Sequence, residues 1–318
     1  MISVRNLTEP PSRRKRPCGA FGGQAEFCLD TARNLTMGKQ KYKFSSRHEK
    51  IKLGAHTVRL LVLSPLERKT EQVPGVLWLH GGGYQAGNAH EVYFTRALSM
   101  VKKFGMVLVT PEYRLSKRHP YPAGLNDCHA ALLWLRDHAE ELGVRTDQIM
   151  IGGESAGGGM CVALCMLVRD RNEVNIAFHM PLYPMLDDRD TESNRDNHAK
   201  NWNTKKNRKA WKRYLRNSYS TELVTRYAAP ARCKDYRGLP PCYTFVGDIE
   251  PFYDETLTYV RHLQEAGIRA EVDVDPDFWH GYDVLMPGSE KSRQAIARFE
   301  EKVAYAIEHD FAPQDPGS

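Results

Sequence analysis

The sequence predicts an α/β protein: a mostly parallel central sheet with helices on both faces and a helical cap inserted late in the chain. Three observations point there. Short apolar runs alternate with longer segments of 3–4 periodicity from Lys50 onward, the rhythm of a doubly covered sheet. Two of those runs, Val73–Leu79 and Met106–Thr110, are largely apolar, as strands buried on both sides are. The alternation breaks between Asp187 and about Ala229, where the chain turns polar and basic with no strand-like run.

At 318 residues, 41% hydrophobic and 26% charged, the chain suits one large domain with a sizeable core. No apolar run approaches the roughly 18–20 residues of a membrane span. No apolar stretch of roughly 7–15 residues follows the early basic residues, so no secretory signal is read. The seven cysteines are scattered, and Cys161 and Cys165 fall one helical turn apart in an apolar segment, as small core residues do. The expectation is a cytoplasmic protein without a membrane segment. The net charge of +6 gathers in Arg13-Arg14-Lys15-Arg16 and between Lys205 and Arg216. It lacks the interleaved aromatics of a nucleic-acid groove, so no nucleic-acid partner is expected. Assembly as a homodimer is left open.

Residues 1–40, with Pro10-Pro11, the basic run and Gly19, Gly22 and Gly23, read as a flexible tail or as part of the cap, and Met37 is an alternative start. The main domain is expected over 41–310, with the insertion at about 187–229 and a C-terminal tail over 311–318. Lys50–Leu63 carries two strands around a turn at Gly54-Ala55, followed by Val73–Leu79 and Met106–Thr110. A helix is expected from Asn126 to near Gly143, then the strand Gln148–Ile151, the helix Met160–Val168 and the strand Ile176–Met180. In the insertion, Trp211, Tyr214, Leu215 and Tyr219 suggest one apolar helical stripe. Cys242–Val246 is a strand, Phe252–Ala266 a helix ended by Gly267, Arg269–Val274 the last strand and Ser289–His309 the last helix.

Chemistry concentrates in Gly152-Gly153-Glu154-Ser155-Ala156-Gly157-Gly158-Gly159, between the strand ending at Ile151 and the helix beginning near Met160. Gly153-x-Ser155-x-Gly157 is the spacing of a nucleophile elbow, where small flanks let strand and helix approach while a sharp turn lifts the serine clear. A serine needs a base to take its proton and a carboxylate to orient that base. After Ser155, His179 falls in a buried strand, His262 and His309 on helices and His198 in the insertion. His280 stands in the loop between the last strand and the last helix, where the base is expected. The acid should follow the strand Cys242–Val246, where Asp248, Glu250 and Asp254 all qualify by position. His80-Gly81-Gly82-Gly83, after another strand, offers unobstructed backbone N–H groups for an oxyanion. A dinucleotide loop would need an acidic residue about 20 positions on, where this chain has Lys102-Lys103-Phe104.

His80-Gly81-Gly82-Gly83, Tyr113-Arg114-Leu115, His119-Pro120-Tyr121-Pro122-Ala123, Gly153-Glu154-Ser155-Ala156-Gly157-Gly158 and His280-Gly281-Tyr282 stand in the same order as in a known family. From about Val73 to Leu285 the chain resembles the hormone-sensitive-lipase-like branch of the α/β-hydrolase esterases. The resemblance implies the α/β-hydrolase fold, with Ser155 as nucleophile and His280 as base. It also implies an oxyanion hole from the N–H groups of Gly81, Gly82 and Ala156. Two departures stand out. Glu154 replaces the aspartate usual before the serine, and Glu250-Pro251-Phe252-Tyr253-Asp254 carries glutamate where the family's acid opens an Asp-Pro-Leu-x-Asp block. That register selects Glu250 as the acid, with Asp248 in reserve. Local chemistry agrees: Pro251 biases Glu250 to an extended backbone, while Asp248 suits its own turn and Asp254 the first turn of a helix.

The implied activity is hydrolysis of short- to medium-chain carboxylic esters through an acyl-enzyme, on small-molecule ester substrates. No metal motif is present and no cofactor is expected. The alternatives are an amidase or peptidase on the same residues, or a non-catalytic small-molecule receptor on the fold. The cluster Lys205, Lys206, Arg208, Lys209, Lys212, Arg213 and Arg216 reads either as a solvated helix face or as a lure for anionic substrates.

Overall fold

The computed structural model describes residues 44–68 and 70–314, so the expected N-terminal tail lies wholly outside the described residues. One sheet holds β1 (Phe44–Leu53), β2 (His56–Pro65), β3 (Val73–Leu79), β4 (Val107–Pro111), β5 (Val144–Glu154), β6 (Phe178–Leu182), β7 (Cys242–Gly247) and β8 (Ala270–Asp275). Their order across the sheet is β1-β2-β4-β3-β5-β6-β7-β8. β2 runs against both its neighbours, and every pairing from β4 to β8 is parallel. The fold is the α/β-hydrolase arrangement.

The helices are α1 (Ala97–Phe104), α2 (Ala123–Asp137), α3 (Ala139–Leu142), α4 (Ala156–Arg171), α5 (Glu192–Arg195), α6 (Thr204–Leu215), α7 (Tyr253–Glu265), α8 (Tyr282–Leu285) and α9 (Glu290–His309). Because successive strand side chains point to opposite faces, the central strands feed two cores. Leu77, Leu79, Val107, Val109, Ile149 and Ile151 pack with α2, α4 and α7. Val76, Trp78, Leu108 and Met150 pack with α1 and α9. A sheet sealed on both sides leaves its carboxyl edge as the place where loops converge, the usual seat of a site in open α/β sheets.

Several boundaries differ from the sequence expectation, for local reasons. α2 begins at Ala123, whose N–H already reaches the Pro120 carbonyl at 3.0 Å. It pauses at His138, whose ring Nδ1–H donates to the Trp134 carbonyl, before α3 ends at left-handed Gly143. α6 stops at Leu215 because Arg216 turns to a positive φ of 53°, so Tyr219 lies beyond the helix and outside its stripe. Residues 311–314 are docked: the Ala312 N–H donates to Asp147 O at 2.8 Å, and the Gln314 amide donates to Thr146 O and Asn175 O.

The connection from β6 to β7 carries α5 and α6 and is fastened at several points. Asp188 accepts from Arg232 and from the Ser220 N–H, and Glu255 of α7 accepts from the Leu186 N–H at 2.7 Å. Asp254 accepts from the Ser193 N–H at 2.6 Å, tying α5 to the start of α7. Ala210, Trp211, Tyr214 and Leu215 turn the apolar face of α6 into the core, with Tyr214 stacked on Tyr84 at 4.0 Å. This segment therefore lies against the loop that leaves β3.

Candidate active site

Four loops at the carboxyl edge supply the chemistry, leaving β3, β5, β7 and β8. β5 runs straight into α4 through Ser155, which holds φ 57° and ψ −118°, a backbone conformation disfavoured for a residue with a side chain. Neighbouring bonds hold it there. Its N–H donates to Leu182 O at 2.9 Å, and its carbonyl accepts from the Gly159 and Met185 N–H groups. A Cβ on Gly153 would lie 2.6 Å from Leu79 O, and one on Gly157 would lie 2.6 Å from His80 O. Only glycine lets α4 start this close to β3, which explains why the serine is flanked as it is.

Ser155 and His280 are only 7% and 8% exposed. The Ser155 hydroxyl donates to His280 Nε2 at 2.9 Å. On the other side of the ring, His280 Nδ1–H donates to Glu250 Oε2. The second oxygen of Glu250 accepts from the Gly247 N–H at 3.3 Å. Glu250 is 1% exposed, and burial pushes its carboxyl above the usual range against the attraction of His280. The other two candidate acids are engaged elsewhere: Asp248 Oδ1 accepts from the Asp277 N–H at 2.7 Å, and Asp254 holds Ser193. Glu250 alone of the three reaches His280.

The loop after β3 borders the serine directly. A Cβ on Gly81 would lie 3.5 Å from Ser155 Cβ. Gly82 adopts a φ of 102°, which glycine holds without steric cost, and its carbonyl accepts from the Gln85 and Ala86 N–H groups. Neither the Gly81 nor the Gly82 N–H donates to a backbone carbonyl among the described residues. Ala156 opens α4, where helix N–H groups have no intrahelical partner. His80 stacks on Tyr113 with centroids 4.0 Å apart, and the Tyr113 hydroxyl donates to His80 O at 2.8 Å. Burial drives His80 down to about 4, so it is neutral and serves as a wall of the loop.

Other neighbours of the site come from distant parts of the chain, and Asn201, Trp202 and Tyr183 among them had no individual signal in the sequence. The Asn201 amide donates to the His280 carbonyl, and the Trp202 ring lies 6.2 Å from the imidazole centroid and packs on Gly83. Phe252 and Tyr183 meet the imidazole edge-on at 4.9 and 5.0 Å. Glu154 points away from the serine and accepts from the Trp78 indole N–H at 2.7 Å, with burial lifting its carboxyl to about 7. Behind it, Arg96 and Asp283 form a fully buried ion pair, with the Arg96 guanidinium over the Phe245 ring. His179 is a core residue bonded to the Tyr259 hydroxyl and the Pro241 carbonyl. Among the described residues, no group of three or more His, Cys, Asp or Glu side chains has a metal-holding arrangement.

A family model described as alpha/beta hydrolase fold matches residues 76–284. The chain is 29% identical to Esterase LipI of Mycobacterium tuberculosis over 66% of each protein. It is 28% identical to an arylesterase of Saccharolobus solfataricus, over 70% of this chain and 72% of that one. The solved structure of a bacterial heroin esterase superposes with a TM-score of 0.81 at 31% identity, covering 90% of both chains.

Proposed function

The chain belongs to the α/β-hydrolase fold family, and on that premise we propose that it is a serine carboxylesterase whose nucleophile is Ser155. The hydrogen-bonded series Glu250–His280–Ser155, ending on a serine in a strained turn, carries the reading. His280 Nε2 takes the hydroxyl proton as Ser155 Oγ bonds to the ester carbonyl carbon. The carbonyl oxygen, now an oxyanion, is received by the N–H groups of Gly81, Gly82 and Ala156. His280 then hands its proton to the departing alkoxide, leaving an acyl-enzyme, and a water repeats the sequence to release the acid. Glu250 holds the Nδ1–H tautomer and balances the charge that forms on the ring.

Residues 187–229 act as the cap over this site, Trp202 and Asn201 being its innermost part. Trp202, Phe252 and Tyr183 crowd the imidazole, which favours short to medium acyl chains over long ones. No helix among the described residues is long and apolar enough to cross a membrane. The five described cysteines are buried free thiols, which supports a cytoplasmic setting. The test is a panel of 4-nitrophenyl esters from acetate to palmitate with a 4-nitroanilide control. The reading predicts the highest kcat/KM among the shorter acyl chains and little anilide turnover. Preference for the anilide would make the chain an amidase.

A further inference from the structure

The outer face of α6 carries charge that the carboxylates of the fold answer only in part, although Arg213 and Arg216 donate hydrogen bonds to Gln85 and to the Ser116 and Lys117 carbonyls. Lys205, Lys209, Lys212, Arg213 and Arg216 take part in no ion pair among the described residues, whereas Arg208 is matched by Asp190 and Arg195 by Glu192. These cations line an open groove of about 870 Å³ that reaches Asn203 and Thr204. Three pairs repeat like charge one helical turn apart: Lys205 with Lys209, Arg208 with Lys212, and Lys209 with Arg213. Lys205 and Lys206 sit in the first turn, where the helix end is itself positive. Both arrangements disfavour the helix. Asn203 caps that helix through the Lys206 N–H, yet the first turn holds no acid to offset the charge.

The groove is tied to the catalytic edge. Asn203 lines it, while Trp202 and Asn201, one and two residues earlier, touch the imidazole region and the His280 carbonyl. Arg213 donates to Gln85 on the glycine loop. The chain's own segment before Phe44 offers no net counter-charge, since its Glu9, Glu26 and Asp30 are outnumbered by nine lysines and arginines, Arg13, Arg14, Lys15 and Arg16 among them. Asp196, set against His198, is the one carboxylate in the lining, so positive charge dominates the groove. A concave surface dominated by one sign raises the local concentration of counter-ions, and with them any substrate of opposite charge.

We propose that this groove is an anion-recruiting subsite, and that the substrates are esters carrying a carboxylate or phosphoryl group remote from the scissile bond. The proposal rests on the esterase reading, so its test uses the full chain and a neutral ester as internal control. The probes are 4-nitrophenyl butyrate and the similarly sized mono-4-nitrophenyl succinate, which bears a free carboxylate. The comparison is between the native chain and a Lys205→Gln/Lys209→Gln/Lys212→Gln variant. Raising NaCl from 0.01 M to 1 M shortens screening from about 30 Å to about 3 Å. For the native chain, kcat/KM on the succinate ester should fall about tenfold, and on the butyrate less than about twofold. The variant should lose about five- to tenfold on the succinate ester at low salt, through KM with kcat held, and nothing on the butyrate. Salt-independent succinate turnover, or equal losses on both esters, overturns the proposal. So does binding to phosphatidylserine vesicles that the variant abolishes while the succinate ester is unaffected, which assigns the face to a membrane surface. Absence of turnover on butyrate would instead refute the esterase reading beneath it.

Discussion

Replacing Glu250 with glutamine removes one proton acceptor and one charge while keeping the side chain's shape. In the structure one carboxylate oxygen faces His280 Nδ1 and the other accepts from the Gly247 N–H. The amide can keep only one of these as an acceptor. If its NH₂ faces the ring, the imidazole must present a bare Nδ1 and carry its proton on Nε2, where it can no longer accept from Ser155. If its oxygen faces the ring, the tautomer survives but the NH₂ opposes the Gly247 N–H. In either pose the charge that balances the imidazolium is gone from a position 1% exposed to solvent. The analogous amide swap at a triad carboxylate costs about 10⁴ in kcat, so a loss of about 10²–10⁴ is expected, roughly 3–5 kcal/mol of barrier. Asp248→Asn is the paired control. It disturbs only the bond to the Asp277 N–H, in a half-buried turn, and should cost less than about tenfold. Both kcat values are measured on 4-nitrophenyl butyrate with circular dichroism to verify folding. A Glu250→Gln enzyme within about threefold of the native one, alongside an inactive Asp248→Asn enzyme, would refute the reasoning.

Glu154 is raised by burial from 4.5 to about 7, so the folded chain holds a proton that the unfolded chain has released across that window. Its contribution then falls by about 3 kcal/mol as pH rises through it, so the stability of Glu154→Gln relative to the native chain should rise by that amount between pH 5 and pH 8; urea midpoints of both proteins at the two pH values check it. His80 and His179 are lowered by burial from 6.5 to about 4, so their contribution is complete above 6.5 and lost as pH falls toward 4. Glu91 and Glu255, raised by burial, pull the other way, so the histidine contribution is read as a difference. The native chain's urea midpoint relative to that of His179→Gln should drop between pH 6.5 and 4.5, and a pH-independent difference would contradict the burial of His179 as a neutral group. Gly157→Ala drives a methyl into the Leu79 and His80 carbonyls and should cost about 2–4 kcal/mol, read as a lower urea midpoint together with lost turnover.

Much of this was legible in the sequence because it rests on local pattern. Strands buried on both faces betray themselves as apolar runs, as β3, β4 and β7 do, whereas β1, polar and largely exposed, begins six residues ahead of the expected Lys50. β6 sits two residues later than expected because Ile176 and Ala177 are a buried lead-in that joins the ladder only at Phe178. Ser155 and His280 were each fixed by a loop of distinctive spacing. The acid was harder: Asp248, Glu250 and Asp254 all suit a polar loop, and only the approach of the β8 loop and of Ser193 separates their partners. The long-range contacts around the site were not readable. Asn201 meets His280 across 79 positions and Trp78 meets Glu154 across 76, and no local rule couples residues that far apart. The buried pair Arg96–Asp283 is a further example, since charged residues in sequence read as solvated by default.

The most direct measurement of the central claim is covalent. A fluorophosphonate transfers phosphorus to an activated serine oxygen with loss of fluoride, and peptide mass spectrometry then locates the adduct. The account predicts one adduct per chain, on Ser155, with turnover lost in proportion to labelling, and neither adduct nor turnover in Ser155→Ala. Labelling at another residue, or undiminished ester hydrolysis by Ser155→Ala, would contradict it.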